Sequence, residues 1–98
     1  MSRTITVPPD ADIGLTMQGR RHMVIVAPAP LKANLTLFTR PGTLGGWFTF
    51  DPGLTWPDRN CCRFASHYLQ TGIPIGFEFA ALADALACHR RLLREAGR

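Results

Sequence analysis

The residues best suited to chemistry in this chain are Cys61, Cys62 and Cys88 together with His22, His67 and His89. Thiolates and imidazoles ligate zinc, but structural zinc sites space their ligands as C-x(2–4)-C or H-x(3–5)-H. Adjacent Cys61 and Cys62 would diverge by about 100° around a helix and so do not share an ion. No metal or other cofactor is expected. Cys62 also falls near a predicted helix start, with Arg59 and Arg63 alongside. That setting can lower a thiol pKa, although a nucleophilic cysteine also needs a histidine base within reach. Cys61 fits a buried stripe with Cys62 at its edge, and His89 lies on an apolar stripe as a core histidine would.

The acidic residues offer no paired general acid and base. Asp10, Asp12 and Asp51 sit in predicted turns, Asp58 at a helix cap, and Asp84 and Glu95 on a solvated helix face. Glu78 alone lacks an evident structural reason. The segment Gly42-Thr43-Leu44-Gly45-Gly46 is glycine-rich, but it lacks the Lys-Ser/Thr and following helix of a phosphate loop. It reads as a hairpin connection. No catalytic constellation emerges, and the chain is expected not to be an enzyme.

Two clusters suit binding better. Phe38, Arg40 and Trp47 come from the two arms of one predicted hairpin and share a face otherwise lined by threonine. Aromatic and arginine residues together make interface hot spots. The competing reading is a cross-strand pair of Phe38 and Trp47 that steadies the hairpin. Arg90, Arg91 and Arg94, with Arg98, cluster near the end of the last predicted helix, where they also favour the helix dipole.

The elements that must position these residues follow from periodicity. Before Thr55-Trp56-Pro57-Asp58 apolar residues alternate with polar ones; after it they recur every three or four residues. Strands are predicted over Arg3–Val7, Ile13–Met17, His22–Ala27, Asn34–Thr39 and Gly46–Phe50. Gly19 marks one hairpin tip, and the His22 run, apolar on both faces, reads as a central strand. Thr55 with Asp58 predicts a helix cap of capping-box type. Cys61, Phe64, Ala65 and Tyr68 then form a buried face, and Gly72 ends the helix. A last helix is predicted from about Phe77 to Ala96, with Phe79, Leu82, Leu86, His89 and Leu93 inward and Asp84, Arg91, Arg94, Glu95 and Arg98 outward.

The expected fold is α+β: an antiparallel sheet of four to five strands, N-terminal, with two C-terminal helices packed on one face. Ile5, Val7, Leu15, Met17, Met23, Ile25, Leu35, Leu37, Phe48 and Phe50 would line the covered face. Thr4, Thr6, Thr16, Gln18, Thr36, Phe38, Arg40, Trp47 and Thr49 would line the open one.

The 98 residues suit a single domain, residues 1–98, and a chain of this size buries about 60–65% of its unfolded surface. Apolar residues make up 46% and charged residues 18%, as in ordinary globular proteins. The longest apolar run, Met23 to Ala27, is too short to cross a bilayer. Met1-Ser2-Arg3-Thr4 lacks the apolar region of a secretion signal, and the cysteine spacing does not form a disulfide framework. A cytoplasmic protein with reduced thiols is expected.

Net charge is +4, and Lys32 is the only lysine among eleven basic residues. A GC-rich genome would produce that bias, while arginine also binds carboxylates and phosphates bidentately. The charge favours acidic partners.

In size, arginine-rich composition and lack of a catalytic set, the chain resembles in general character the small accessory proteins of phages and mobile elements, anti-CRISPR inhibitors among them. No alignable segment or motif carries the likeness. It implies a non-enzymatic protein that docks on a protein or nucleoprotein partner and acts sterically. A nucleic-acid-binding module using the arginine-rich helix and sheet aromatics is the alternative, and a small ligand-binding domain or enzyme using Cys62 or Glu78 is another. An exposed edge strand could instead pair two copies into a dimer.

Overall fold

The computed structural model describes residues 3–28, 45–50 and 56–98. Their elements run β1 (Asp12–Gln18), β2 (Arg21–Ala27), β3 (Gly46–Thr49), α1 (Arg59–Gln70), β4 (Ile75–Phe79) and α2 (Leu82–Glu95). The strands form one sheet in the order β1-β2-β4-β3, and the class is α+β. The pairings β1/β2 and β2/β4 are antiparallel, but β3 and β4 are parallel. An all-antiparallel sheet is therefore corrected to a mixed one. The parallel pair follows from α1, which joins β3 to β4, since parallel neighbours require a long crossover.

The β1/β2 hairpin closes at Gln18 and Arg21, with Gly19 at a φ of 63°. Arg20 has no positive φ, so glycine sits at the first central position, as a type II′ turn demands. This turn sets the register of β2. Thr16 faces Met23 and Leu15 faces Val24, so Met23 and Ile25 share the threonine side while Val24 and Val26 point at the helices. The expected placing of Met23 and Ile25 on the covered face is thus reversed. Their all-apolar run carries no parity signal of its own.

Asp58 caps α1: its Oδ1 accepts from the Cys61 main-chain N–H at 2.8 Å. Thr55, the expected cap, lies outside the described residues. At the other end Gly72 adopts a φ of 84°, and Ile73 and Gly72 donate to the carbonyls of Tyr68 and Leu69. These are the two bonds of a Schellman motif, as Gly72 predicts. The buried face of α1 is Cys61, Cys62, Ala65 and Leu69. Phe64, expected inside, is 55% exposed.

Two further expectations are corrected. Residues 3–8 form no strand, yet Ile5 and Val7 are buried. Their segment bonds to α1 and its lead-in instead: Thr6 N–H donates to Ser66 Oγ at 2.8 Å, and the Arg3 carbonyl accepts from the Trp56 indole. Phe77 to Phe79 belong to β4 rather than to the last helix. All five β4 residues are buried because the strand lies between two neighbours beneath the helices. Accordingly α2 begins at Leu82, and its buried stripe is Asp84, Ala85, Cys88 and Leu92. Leu82 is 47% exposed, and Asp84, expected in solvent, is 6% exposed.

The main core lies between the helices and one sheet face, with Phe77, Phe79, Ile75, Val24, Val26, Leu69 and Leu92 fully enclosed. Each such side chain contributes about 1.5–3 kcal/mol. Phe48, Phe50, Phe77 and Phe79 stack along it at centroid separations of 5.2–6.1 Å.

Candidate functional site

On the sheet face turned away from the helices, strand alternation brings Glu78 of β4 between Met23 of β2 and Thr49 of β3. Glu78 is 3% exposed. Its Oε1 lies 3.2 Å from Arg21 Nε. Its Oε2 accepts from Trp47 Nε1 at 3.2 Å and from Thr49 Oγ1 at 3.1 Å. Arg21 also donates to the Phe50 carbonyl at 3.2 Å, so one guanidinium reaches from β2 to the end of β3. Beside this network Met23 and Ile25 are buried, with Trp47 packed against them. The centre of this face is therefore not a solvated threonine surface, contrary to expectation. Glu78, which lacked a role by sequence, serves as the polar hub of three strands.

Trp47 is half-buried and held at its N–H, so only part of its ring remains available to a partner. Phe38 and Arg40, its expected companions, lie outside the described residues, as does the first arm of their hairpin. The three cluster residues are thus placed only at Trp47.

The arginines of α2 separate by role. Arg90 and Arg94 are exposed. Arg91 is half-buried: its Nε lies 3.0 Å from Glu95 Oε1, and its guanidinium carbon sits 4.9 Å from the Trp56 ring centroid. Arg91 therefore braces α2 against the lead-in to α1. Arg98 donates through both terminal nitrogens to the Ala11 carbonyl at 2.7 and 2.8 Å.

A surface that sequence reading missed lies on the outer side of α1. Asn60, Arg63, Phe64, His67 and Gln70 recur at three- and four-residue spacing, and all are exposed. Phe64 is exposed one position after Arg63 and one turn before His67, both also exposed. The sequence signal was present but reversed: Cys62, not Phe64, turns inward.

Thiol chemistry is corrected in sign. Burial pushes Cys61 up to about 12 and Cys62 up to about 11, and it raises Cys88 further. Cys62 Sγ donates to the Arg3 carbonyl at 2.9 Å, and burial, with the Asp58 and Glu95 carboxylates, outweighs the lowering effect of Arg91 and Arg3 on it. A thiol held neutral in this way is a poor nucleophile at neutral pH. His89 keeps the structural role expected of it, with Nε2 3.3 Å from the Ile13 carbonyl. Among the described residues no group of three or more His, Cys, Asp or Glu could hold a metal ion, and no helix is long and apolar enough to cross a membrane. No family model matches the chain, and neither a curated protein nor a solved structure matches it.

Proposed function

We propose that the protein is a binding protein without catalytic activity, which docks on an acidic protein or nucleoprotein surface and acts sterically. The observation that supports this most directly is Phe64, 55% exposed on α1 with Arg63 and His67 beside it. An aromatic and an arginine held on a rigid helix make a low-entropy anchor of the kind that dominates interface energetics. Arg90 and Arg94 of α2, and the uncovered part of Trp47, are the further contacts in this reading, and the net charge of +4 steers an acidic partner. An accessory or inhibitor protein of phage or mobile-element type is its finer form, resting on general character alone.

The test is affinity capture from the native host followed by mass spectrometry, with Phe64→Ala and Arg90→Ala/Arg94→Ala as controls. A specific partner retained by the parent protein and lost with Phe64→Ala is the expected result. A partner held equally by both variants, or turnover of a small molecule without any partner, would overturn it. Binding of bare DNA or RNA with a steep salt dependence would favour the nucleic-acid reading instead.

A further inference from the structure

The free edge of β1 has the features of a self-pairing surface. Among the described residues β1 has one sheet neighbour, β2. The two-residue turn makes Gln18 and Arg21 the closing hydrogen-bonded pair, so even-numbered β1 residues bond to β2 and odd-numbered ones turn outward. Two side-chain contacts agree with this parity. The Ala11 carbonyl is taken by Arg98 and the Ile13 carbonyl by His89. The beginning of the edge is thus covered by α2. Among the described residues no side chain or strand bonds to the rest of the edge, at Leu15 and Met17.

Natural edges are usually defended by lysine, proline or an inward charge. From Ile13 to Gln18 the strand reads Ile-Gly-Leu-Thr-Met-Gln, with none of these. Thr16 is exposed and Met17 is 60% exposed, the largest exposure among the described large apolar side chains. Met17 stands in line with His22 and Phe79, the last residue of β4. Leu82, also exposed, opens α2 just beyond that end.

We propose that two copies of this chain pair antiparallel through β1, about a two-fold axis at Thr16. In that register each Leu15 exchanges both main-chain hydrogen bonds with the partner's Met17, and the Ile13 carbonyl keeps its bond to His89. The Leu15 and Met17 side chains of both copies meet on the helix side of the seam. Charge decides for a second copy over an unrelated strand. The start of β1 carries Asp10 and Asp12, which keep it negative even with the Arg98 guanidinium on the Ala11 carbonyl between them; the hairpin tip carries exposed Arg20, and the two-fold lays each start beside the other copy's basic tip. The edge is complementary to itself only when reversed.

Sedimentation equilibrium of the full chain up to about 100 μM tests this. The expected result is a monomer–dimer equilibrium whose dissociation constant rises about tenfold or more in Met17→Lys, with an unchanged circular dichroism spectrum. Asp12→Arg and Arg20→Asp should each weaken the dimer, and the double exchange should restore it, a rescue that general destabilisation does not mimic. A monomer throughout the range would overturn the proposal. So would a dimer indifferent to Met17→Lys, or a charge exchange without rescue.

Discussion

Replacing Arg21 by methionine removes the guanidinium whose Nε lies 3.2 Å from Glu78 Oε1 while keeping most of the side-chain volume. Removing one partner of a fully buried pair costs about 3–5 kcal/mol, because the other charge is left uncompensated. An exposed pair contributes about 0–1 kcal/mol. This pair is asymmetric: the Glu78 side chain is 3% exposed and that of Arg21 30%. Trp47 and Thr49 would still donate to Oε2 after the change. The expected loss therefore lies between the two limits, at about 2–3 kcal/mol, including the Phe50 carbonyl contact. For a domain of this size that lowers Tm by about 10–20 °C. Urea denaturation followed by tryptophan fluorescence, with calorimetry beside it, measures both quantities. The combined change Arg21→Met with Glu78→Leu should recover only part of the loss: the buried charge is gone, but Trp47 Nε1 and Thr49 Oγ1 lose their acceptor. A loss below about 0.5 kcal/mol for Arg21→Met alone would refute the view of Glu78 as a hub that depends on its guanidinium.

Two other perturbations have directions fixed by the structure. A Cβ at Gly46 would lie 2.6 Å from Tyr68 Cδ2 and 3.3 Å from Ile75 Cγ2, so Gly46→Ala should lose about 1–3 kcal/mol by overpacking, read from the urea midpoint; an unchanged midpoint would mean that Tyr68 moves aside freely. The thiols set an alkaline limit. An unfolded thiol ionises near 9.0, while burial raises Cys61 to about 12 and Cys62 to about 11 in the fold. Above pH 9 the unfolded chain releases protons that the folded chain retains, so the thiol contribution to stability should be level below about pH 8 and fall from there toward about pH 12. Replacing all three cysteines by alanine or serine should flatten that fall, and an aromatic-disulfide reagent at pH 7.5 should label the folded protein slowly and the denatured protein fast. Rapid labelling of Cys62 in the folded state would contradict its burial.

How far the fold was legible depended on whether local signals agreed. The β1/β2 hairpin was readable because alternation in Ile13 to Met17 and the glycine at 19 indicate the same turn. The end of α1 was readable because Gly72 supplies the positive φ that a Schellman motif requires. The segment from Ile75 to Phe79 carried a conflict. Its alternation of Ile75, Phe77 and Phe79 with Gly76 and Glu78 is a strand pattern, yet Phe79, Leu82 and Leu86 also continue a helical spacing. Sheet burial on both faces decided for the strand, and that information is tertiary. The helix predicted from Phe77 begins at Leu82, and its predicted stripe fell one residue late, at Leu86, His89 and Leu93 in place of Ala85, Cys88 and Leu92. At the site, Glu78 stood out by lacking a role, but its partners Arg21, Trp47 and Thr49 come from two other strands that only the sheet order brings together.

The arginine-rich composition looks different once each guanidinium is placed. Arg21, Arg91 and Arg98 are spent inside the molecule, on a buried carboxylate, on Glu95 and the Trp56 ring, and on a main-chain carbonyl. The planar, multi-donor guanidinium suits all three tasks, and lysine would serve none of them as well. Part of the bias is therefore structural and asks for no ligand. Arg63, Arg90 and Arg94 are exposed on the two helices. Among the described residues, the open sheet face centres on a carboxylate already matched by its own arginine, while Arg63, Phe64, Arg90 and Arg94 leave exposed charge and an aromatic ring on the helices. In the proposed docking, these helix residues rather than the centre of the sheet face supply the contacts.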